Sequence, residues 1–551
     1  MTSSYRSPIF ELSDRYIAGA AILSPISATF LGITDYDEQL DDFSLAGTVK
    51  SADLIQRTLQ ELAKLEPKDE IDRIAKAVME ERLSSTLALN NSREEQIAWN
   101  VISSPISEIR QVFEVMSHET IEEIKNITAR LNAVSGAHES WLSCIDELAK
   151  VGKTTSRRQT LGVAEQLRIF GGGAYSGIAS GIDPIGKYPE LHAAGAAADE
   201  SAMRTSESLL REYLPLSNPA DAVGEGRYSA WARHFTGADL DLRAVYEWGL
   251  QDLAQINERM WRIAAKIKPG AKSLREVADH LESDPQYRIH GTEALLEKLR
   301  NFTQAAVAQM DGIHFDIDER VKFCDVRLAP EGSASAPYYQ SPSEDLSRPG
   351  TTWFPALGKN EFSWWHLATT WYHEAVPGHH LQEATVIIEQ DRLSRFQRTK
   401  AWTSGYGEGW ALYAERLMDE LGAFEDPGLE MGYLSGQALR AARVVVDIGM
   451  HLGYTDYNGE VWNAESAYQV LMNRALLDDA HSRSEVDRYL GWPGQAISYK
   501  VGERVWMRTR EDAKKRLGDN FSLKRFHSFA LKLGPMGLDP FEIEMARWDG
   551  N

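Results

Sequence analysis

The sequence predicts a mainly α-helical protein with one small antiparallel sheet, and three observations lead to this prediction. Much of the chain repeats its apolar residues three and four positions apart with charged residues between them, the pattern of an amphipathic helix. Loop signals such as residues 217–226 and 268–273 separate these stretches. Residues 313–357 depart from this period. Apolar and polar residues first alternate there, which is typical of short strands, and a stretch rich in proline and serine follows.

The helical period is clearest in four stretches of the chain. These are residues 50–65, 118–133, 243–267 and 291–311. Residues 169–184 are glycine-rich, which disfavours a helix interior, so we predict a flexible cleft-rim loop or a turn there. We divide the chain near residue 312 into a helical N-terminal region, 1–312, and a region with the candidate site, 313–551; the alternative is one body around a cleft.

Composition and charge restrict the class of protein. The chain has 551 residues and a formal net charge of −22, from 81 acidic against 59 basic residues. This balance argues against nucleic acid or an anionic membrane as the main partner, because both require clustered basic residues. Only Cys144 and Cys324 occur, which favours a reducing compartment. With no evident export signal and no apolar stretch near the roughly 18 residues that span a bilayer, we expect a cytoplasmic protein.

The segment NEFSWWHLATTWYHEAVPGHHLQEA, residues 360–384, carries the candidate chemistry. A catalytic zinc ion needs a few nitrogen or oxygen ligands that converge on it, with one position left for water. The common helical solution places two histidines four residues apart, with a glutamate general base beside the first. Here His373 and Glu374 supply the first half of that pattern, and His366 is interpreted as a cleft or core residue.

The second histidine does not follow at the usual spacing, because Pro377 stands four residues after His373. On an unbroken helix His379 would be rotated by about 240° from His373, and His380 would lie about 10.5 Å along the axis. Pro377 breaks the helix by its missing N–H and its ring, and Gly378 tolerates the resulting backbone path. If two residues bulge out, His379 becomes the second ligand; if three do, His380 does. The shorter bulge is favoured.

A third ligand is expected from a second helix in residues 402–422. Glu408 stands among Gly405, Gly407 and Gly409, where the absent side chains allow another backbone to approach closely. Glu415 lies seven residues further, on nearly the same helical face, and is the alternative ligand. A helix-terminal role for Glu408 and a salt bridge for Glu415 are the structural alternatives.

Two later segments could line a cleft. Residues 439–453 form a helical run with Arg440, Arg443 and His451, where an arginine could hold a carboxylate with two hydrogen bonds. An ion pair between Arg443 and Asp447, four residues apart, is the simpler interpretation. In residues 491–504, Tyr499 could stabilise the oxyanion of a tetrahedral intermediate, or anchor a packing contact.

Four strings together resemble a bacterial family. They are HEAVPGHHLQ at 373–382, EGWALYAERL at 408–417, RVVVDIGMH at 443–451 and PGQAISYKVG at 493–502. They look like the bacterial "domain of unknown function 885" family, which is classed with the zincin-type metallopeptidases, and the resemblance extends through most of the chain. A more distant resemblance is to the thermolysin-related oligopeptidases and the Taq-type carboxypeptidases, which are helical zinc peptidases.

The resemblance implies a large helical zincin-like fold with a deep central cleft. It also implies one Zn²⁺ per chain, held by His373, His379 and Glu408, with Glu374 as general base. Tyr499 is implied as the oxyanion stabiliser, and Arg440 or His451 as substrate contacts. The chain departs from the peptidase pattern because it lacks the HExxH sequence and because Glu408 lies 29 residues after His379.

These inferences lead to one functional hypothesis with two alternatives. We expect a zinc-dependent hydrolase that cleaves short peptides with metal-activated water and Glu374 as base. An amidase acting on a non-peptide substrate would use the same residues. A non-catalytic peptide-binding protein on the same scaffold would have no need of Glu374. Nitrogen and oxygen ligands also accept manganese or cobalt, and the sequence does not determine the oligomeric state.

Overall fold

The computed structural model describes residues 6–329, 336–343 and 346–551. The described chain begins with six α-helices, and side-chain caps set the first turn of all of them except α5. Ser7 accepts a hydrogen bond from the Phe10 amide, and Pro8 follows it at the first helical position. These helices are α1 (Pro8–Leu23), α2 (Pro25–Phe30), α3 (Leu45–Leu62), α4 (Glu70–Ser92), α5 (Glu94–Ile97) and α6 (Pro105–Val115).

Eight further helices complete the N-terminal part of the chain. Thr120 and Glu123 form a reciprocal capping box at the start of the longest of them. They are α7 (Ile121–Ala149), α8 (Arg157–Gly171), α9 (Ala174–Ile182), α10 (Pro189–Ser208), α11 (Glu225–Thr236), α12 (Leu242–Ile267), α13 (Leu274–Ser283) and α14 (Thr292–Met310).

The C-terminal part contains ten helices and most of the strands. The strands are β1 (Arg288–His290), β2 (Asp325–Leu328), β3 (Tyr338–Gln340), β4 (Thr351–Phe354) and β5 (Glu361–Ser363). The helices are α15 (Trp364–Glu374), α16 (His379–Ile388), α17 (Arg395–Thr399), α18 (Ser404–Glu420), α19 (Pro427–Leu452), α20 (Ala464–Arg474), α21 (Asp479–Gly491), α22 (Ser498–Leu517), α23 (Leu523–Lys532) and α24 (Leu538–Arg547).

The mainly helical prediction is confirmed, and the four stretches with the clearest period coincide with α3, α7, α12 and α14. The loop predicted for residues 169–184 is wrong, since α8 ends and α9 begins within it. Tertiary contacts explain the difference: the Asp199 carboxylate accepts hydrogen bonds from the Tyr175 and Ser176 amides, and so caps α9 from another helix.

The predicted single antiparallel sheet is also corrected. The described residues form two small sheets, an antiparallel β1–β5 pair and a three-stranded sheet of order β2-β4-β3. In the larger sheet β4 pairs antiparallel with β3 but parallel with β2. The alternation of apolar and polar residues in 313–357 predicts that strands form, but it does not predict which strands pair. In the structure β4 lies between β2 and β3, although it follows both in the chain. Part of the predicted strand-and-loop stretch, residues 330–335 and 344–345, lies outside the described residues.

One large hydrophobic core runs through both parts of the chain. Its buried residues extend from Ile9 to Trp548, and a second core lies within residues 26–213. Cys144 and Cys324 are both buried and free. Around the later site, α12 packs on α19, α15 packs on α18 and α19, and α18 packs on α22. The boundary near residue 312 stays a prediction. No helix in the described part of the chain is long and apolar enough to cross a membrane.

Candidate metal centre

The helix break predicted from Pro377 lies between α15, which ends at Glu374, and α16, which begins at His379. Gly378 is required there, because a Cβ at this position would lie 1.8 Å from the His373 carbonyl oxygen. The Trp410 indole N–H donates to the carbonyls of Pro377 and Gly378, at 2.9 and 3.1 Å. The break is therefore a fixed loop, anchored to α18.

Two histidines converge on one carboxylate as a result of this break. The Nε2 atoms of His373 and His379 lie 3.2 and 3.6 Å from Oε2 of Glu408. One potential ligand atom from each of the three residues lies within 4.8 Å of the others. Ligands of a tetrahedral zinc ion, bound at about 2.0–2.2 Å, are separated by about 3.4 Å. The three side chains therefore fit a zinc ion with small adjustments.

Close contacts between helix backbones bring Glu408 to this position. A Cβ on Gly409 would lie 2.5 Å from the Gly502 Cα of α22, and a Cβ on Gly405 would lie 2.8 Å from the Thr236 Cα of α11. The glycines around Glu408 therefore permit the close backbone approach that their spacing predicts. This packing also places Tyr499, at the start of α22, beside the candidate centre.

His380 lies outside the converging group. Its Nε2 lies 2.8 Å from the Val321 carbonyl oxygen and its Nδ1 lies 2.9 Å from the Tyr339 hydroxyl. Successive residues of a helix point about 100° apart, so only one of His379 and His380 can face His373. The structure brings His379 to the cluster, and His380 instead joins α16 to the segment with Val321 and to β3.

Glu415 supports the centre without joining the ligand group. It is fully buried, and its Oε1 accepts a hydrogen bond from Nδ1 of His373 at 2.8 Å. The Thr369 hydroxyl donates to the other oxygen of the same carboxylate. A carboxylate on the far nitrogen orients the imidazole and leaves Nε2 free to bind a metal. Thr369 was missed by the sequence analysis, although it precedes His373 by one helical turn.

The electrostatics of the group favour positive charge at its centre. Burial lowers the pKa of His373, but hydrogen bonds to Glu408 and Glu415 outweigh burial and raise it to about 9. Burial acts against ionisation of Glu408, yet both histidines hold its pKa well below the usual range. The carboxylates thus favour positive charge beside them, which in this state is carried by protons on the histidines. A divalent metal ion can supply this positive charge in place of the protons.

His379 gives a second test of fit. The pKa of its ring is raised, because Glu408 outweighs the effect of burial. Its Nδ1 is buried and finds no hydrogen-bond partner in the part of the chain that the structure describes. The ring is therefore oriented mainly through Nε2, the atom that faces Glu408. Nε2 of His379 is therefore the ring atom placed to bind a cation beside Glu408.

Glu374, which follows His373, is buried with 8% of its surface exposed. Burial raises the pKa of its carboxyl, and the neighbouring His373 and His379 oppose that rise. A carboxylate whose proton affinity exceeds that of an ordinary glutamate is suited to accept a proton from water near neutral pH. The burial of Glu374 and its place next to His373 in the chain are compatible with the general base predicted from the sequence.

Tyr499 lies over the candidate centre. Its ring stacks on the His373 ring with centroids 6.4 Å apart and an interplanar angle of 20°. Among the described residues its hydroxyl has no hydrogen-bond partner. The guanidinium of Arg443 lies 4.7 Å from the centroid of the same ring. The tyrosine is therefore held in place by its ring while its hydroxyl is available to a ligand.

His451 and Asp447 serve other contacts. His451 is buried; its Nε2 lies 3.0 Å from the Tyr489 carbonyl oxygen, and its Nδ1 accepts from the Val223 amide at 3.4 Å. The structure does not bring it to the cluster. The predicted pair of Arg443 and Asp447 is wrong, because Arg443 binds Glu485. Asp447 accepts from the Tyr228 hydroxyl and the Gly494 amide, and so fixes the loop before α22.

Two cavities adjoin residues near the group. Ser404, Glu408 and Glu415 lie on one face of α18, at spacings of four and seven residues. A cavity of about 540 Å³ is lined by Thr403 and Ser404, at the start of this helix. A second, of about 600 Å³, is lined by Thr369 and Arg440, which both contact Glu415. The second cavity thus lies beside the residues that contact Glu415, and the described lining of neither cavity includes His373, His379 or Glu408.

The fold and the site define a large, mainly helical protein with a buried His–His–Glu group suited to a divalent metal ion. The chain belongs to the family described as "Bacterial protein of unknown function (DUF885)", which matches residues 25–545. None of the curated proteins matches it. The family match confirms the resemblance inferred from the four strings, while the zincin-like character stays a prediction.

Two solved structures share the fold. One is described as "the putative lipoprotein from Colwellia psychrerythraea", with a TM-score of 0.85, 22% identity and 98% of each chain covered. The other is "a putative lipoprotein of unknown function from Shewanella oneidensis", with a TM-score of 0.76 and 18% identity, covering 98% of this chain and 100% of that one. At these identities the likeness establishes a common fold and nothing about activity.

Proposed function

We propose that the protein is a zinc-dependent hydrolase that cleaves peptide bonds in short peptides. The observation that carries this proposal is the convergence of His373, His379 and Glu408 within 4.8 Å, with the buried Glu374 beside them. Two histidines and a carboxylate are a common ligand set of catalytic zinc, which leaves a fourth position for water or substrate. Glu415 would orient the His373 ring through the hydrogen bond to its Nδ1 atom.

Each residue of the site has a role in the proposed reaction. A bound zinc ion would supply Lewis acidity, which makes water a better nucleophile and polarises the scissile carbonyl. Glu374 takes a proton from the attacking water and delivers it to the nitrogen of the leaving amine. The Tyr499 hydroxyl donates a hydrogen bond to the oxygen on which negative charge develops. Glu415 keeps the Nδ1 proton of His373 and leaves Nε2 as a ligand.

The cavity beside Glu415 supports a short peptide as substrate. Its volume of about 600 Å³ is within the usual range for small-molecule pockets. An extended residue spans about 3.5 Å, so this space would take a few residues on one side of the scissile bond. We infer a zincin-like architecture in which α18 forms one wall of a central cleft. Nucleic acid and membrane are not proposed as partners.

The location proposed from the two free cysteines is cytoplasmic. The names of the two structural relatives contain the words "putative lipoprotein", and those names belong to the relatives. Cell fractionation of a host that expresses the natural gene tests this point. Recovery with the membrane fraction would contradict the cytoplasmic location and leave the proposed chemistry unaffected.

Substitution of the base tests the proposed function. Glu374→Gln should retain one zinc ion per chain but lose at least about 100-fold in kcat on a mixed library of short peptides, because proton transfer contributes about 10²–10⁴-fold. Glu389→Gln, which changes a glutamate just after α16, is the matched control and should keep full activity. Full activity of Glu374→Gln would contradict the mechanism. Hydrolysis of simple amides with no peptide cleavage would instead favour an amidase.

A further inference from the structure

Arg440 lies 3.9 Å from Glu415, the partner of His373, and most of its hydrogen-bonding capacity is unused among the described residues. We propose that Arg440 binds the C-terminal carboxylate of the substrate, so that the enzyme removes one or two residues from peptides with a free C-terminus. This inference rests on the proposed peptidase function. It adds the direction of cleavage and the group that is recognised.

The hydrogen bonds of Arg440 contrast with those of its neighbour on α19. Arg440 donates through Nη1 to the Gly436 carbonyl at 3.3 Å, its Nη2 lies 3.9 Å from Glu415, and its Nε has no partner among the described residues. Arg443, one turn further, binds Glu485 and the Tyr489 hydroxyl through close contacts. A guanidinium carries five N–H donors suited to a carboxylate, and most of those of Arg440 remain free.

Arg440 faces a space that can take a carboxylate. It lines the 600 Å³ cavity with Thr369, and 14% of its side-chain surface is exposed. Four acidic residues line this cavity, and three of them are engaged by other groups: Asp478 pairs with His481 at 2.6 Å, Glu282 accepts from the Trp365 indole at 3.1 Å and Glu361 pairs with Arg288. The fourth, Asp279, has no contact with Arg440 among the described residues. The carboxylate nearest to Arg440, Glu415, already accepts from His373 and Thr369. An incoming carboxylate would thus meet a poorly neutralised guanidinium.

The path from His373 to Arg440 limits the length of the leaving group. Glu415 Oε1 lies 2.8 Å from His373 Nδ1 and 3.9 Å from Arg440 Nη2, so one carboxylate separates the two residues. An extended residue covers about 3.5 Å. On this scale, we infer that a carboxylate held by Arg440 belongs to the first or second residue after a carbonyl bound at the candidate metal position. Longer C-terminal segments would extend past the guanidinium.

Peptides that differ only at the C-terminus test this inference. The zinc-loaded full-length protein is given each library peptide both as a free acid and as a C-terminal amide, and products are identified by mass spectrometry. We expect the free acids to lose one or two C-terminal residues, with kcat/KM about 10- to 100-fold higher than for the amides, the usual effect of one charge-assisted hydrogen-bonded contact.

Variants identify the residue that is responsible. Arg440→Gln should raise KM for the free acids about 10- to 100-fold relative to KM for the amides and so abolish the preference, while Arg440→Lys should restore part of it. Lys359→Gln, which removes an exposed cation from the same cavity, is the control and should keep the preference. If Arg440→Gln does not fold, the comparison of free acids with amides in the wild type and in Arg440→Lys still tests the inference. A preference for free acids that is unchanged in Arg440→Lys would exclude bidentate recognition by Arg440.

The outcomes separate this inference from the proposed function. Equal cleavage of free acids and amides by the wild-type protein, or cleavage in the middle of long peptides, would overturn the C-terminal inference and leave the peptidase proposal intact. Absence of any peptide hydrolysis by the zinc-loaded protein would overturn both.

Discussion

At the scale of single residues, the motif predicted which groups converge but not every role. His373, His379 and Glu408 could be proposed from their types and spacing. The choice between His379 and His380 depends on the backbone path through Pro377 and Gly378, which no helical period describes. Glu415 was an alternative ligand, and the structure makes it the hydrogen-bond partner of His373 instead. Its role depends on the packing of α15 on α18, which the sequence does not encode locally.

Glu415 gives a prediction at this scale. Glu415→Gln keeps the volume of the side chain but removes the charge that orients and polarises the His373 ring. Zinc affinity should fall about 10- to 100-fold, the usual effect of losing such a partner. Competition with a fluorescent zinc chelator measures it. Glu420→Gln, at the exposed end of the same helix, is the control. Unchanged affinity in Glu415→Gln would mean that this hydrogen bond does not support the metal site.

At the scale of secondary-structure elements, periodicity predicted the long helices, and tertiary contacts decided the exceptions. α9 forms in a glycine-rich stretch because Asp199 of α10 caps it. The parallel pairing of β2 with β4 depends on the order in which the strands assemble, and β1 is only three residues long. The glycines around Glu408 were correctly interpreted as points of close approach, although the partner, α22, could not be identified from the sequence.

The contact between α18 and α22 gives a prediction at the scale of elements. Gly409→Ala places a methyl group 2.5 Å from the Gly502 Cα, so the two helices must separate. We expect a loss of at least about 2 kcal/mol in the free energy of unfolding, since overpacking typically costs 1–3 kcal/mol and here the opposing atom is backbone. Urea denaturation measures it. Gly136→Ala on α7, where nothing lies within 4 Å of the added Cβ, should lose no stability.

If Gly409→Ala were as stable as the wild type, the close packing of these helices would not be required. The variant should also lose activity beyond its loss of stability, because Glu408 and Tyr499 lie on the two helices that are forced apart.

At the scale of the whole molecule, the composition and the helical spacing of apolar residues predicted the fold class but not how the helices pack together. One core includes residues from Ile9 to Trp548, so helices far apart in sequence share it. Such contacts place buried acids whose neighbours the sequence does not reveal. Burial and the nearby Glu108 raise the pKa of Glu95 to about 7. The protonated form of Glu95 is thus favoured in the folded protein.

This shift predicts how stability depends on pH. The stabilisation that Glu95 gains by holding a proton is fully present below about pH 4.5 and is lost as the pH rises through about 7. Glu95→Gln, which stays neutral, should therefore match the wild type near pH 4.5 and exceed its free energy of unfolding by about 3 kcal/mol at pH 8. Denaturation at both pH values measures this. An equal gain at both, or a gain in the exposed control Glu80→Gln, would contradict the assignment.

The most direct test of the central claim is the metal content of the purified protein by mass spectrometry, after incubation with zinc and removal of excess. The wild type and His380→Ala should each retain about one zinc ion per chain. His373→Ala and His379→Ala should retain little or none, because each loses one of three ligands. No retained metal in the wild type, or retention in His379→Ala with loss in His380→Ala, would contradict the assignment of His373, His379 and Glu408 as a metal site.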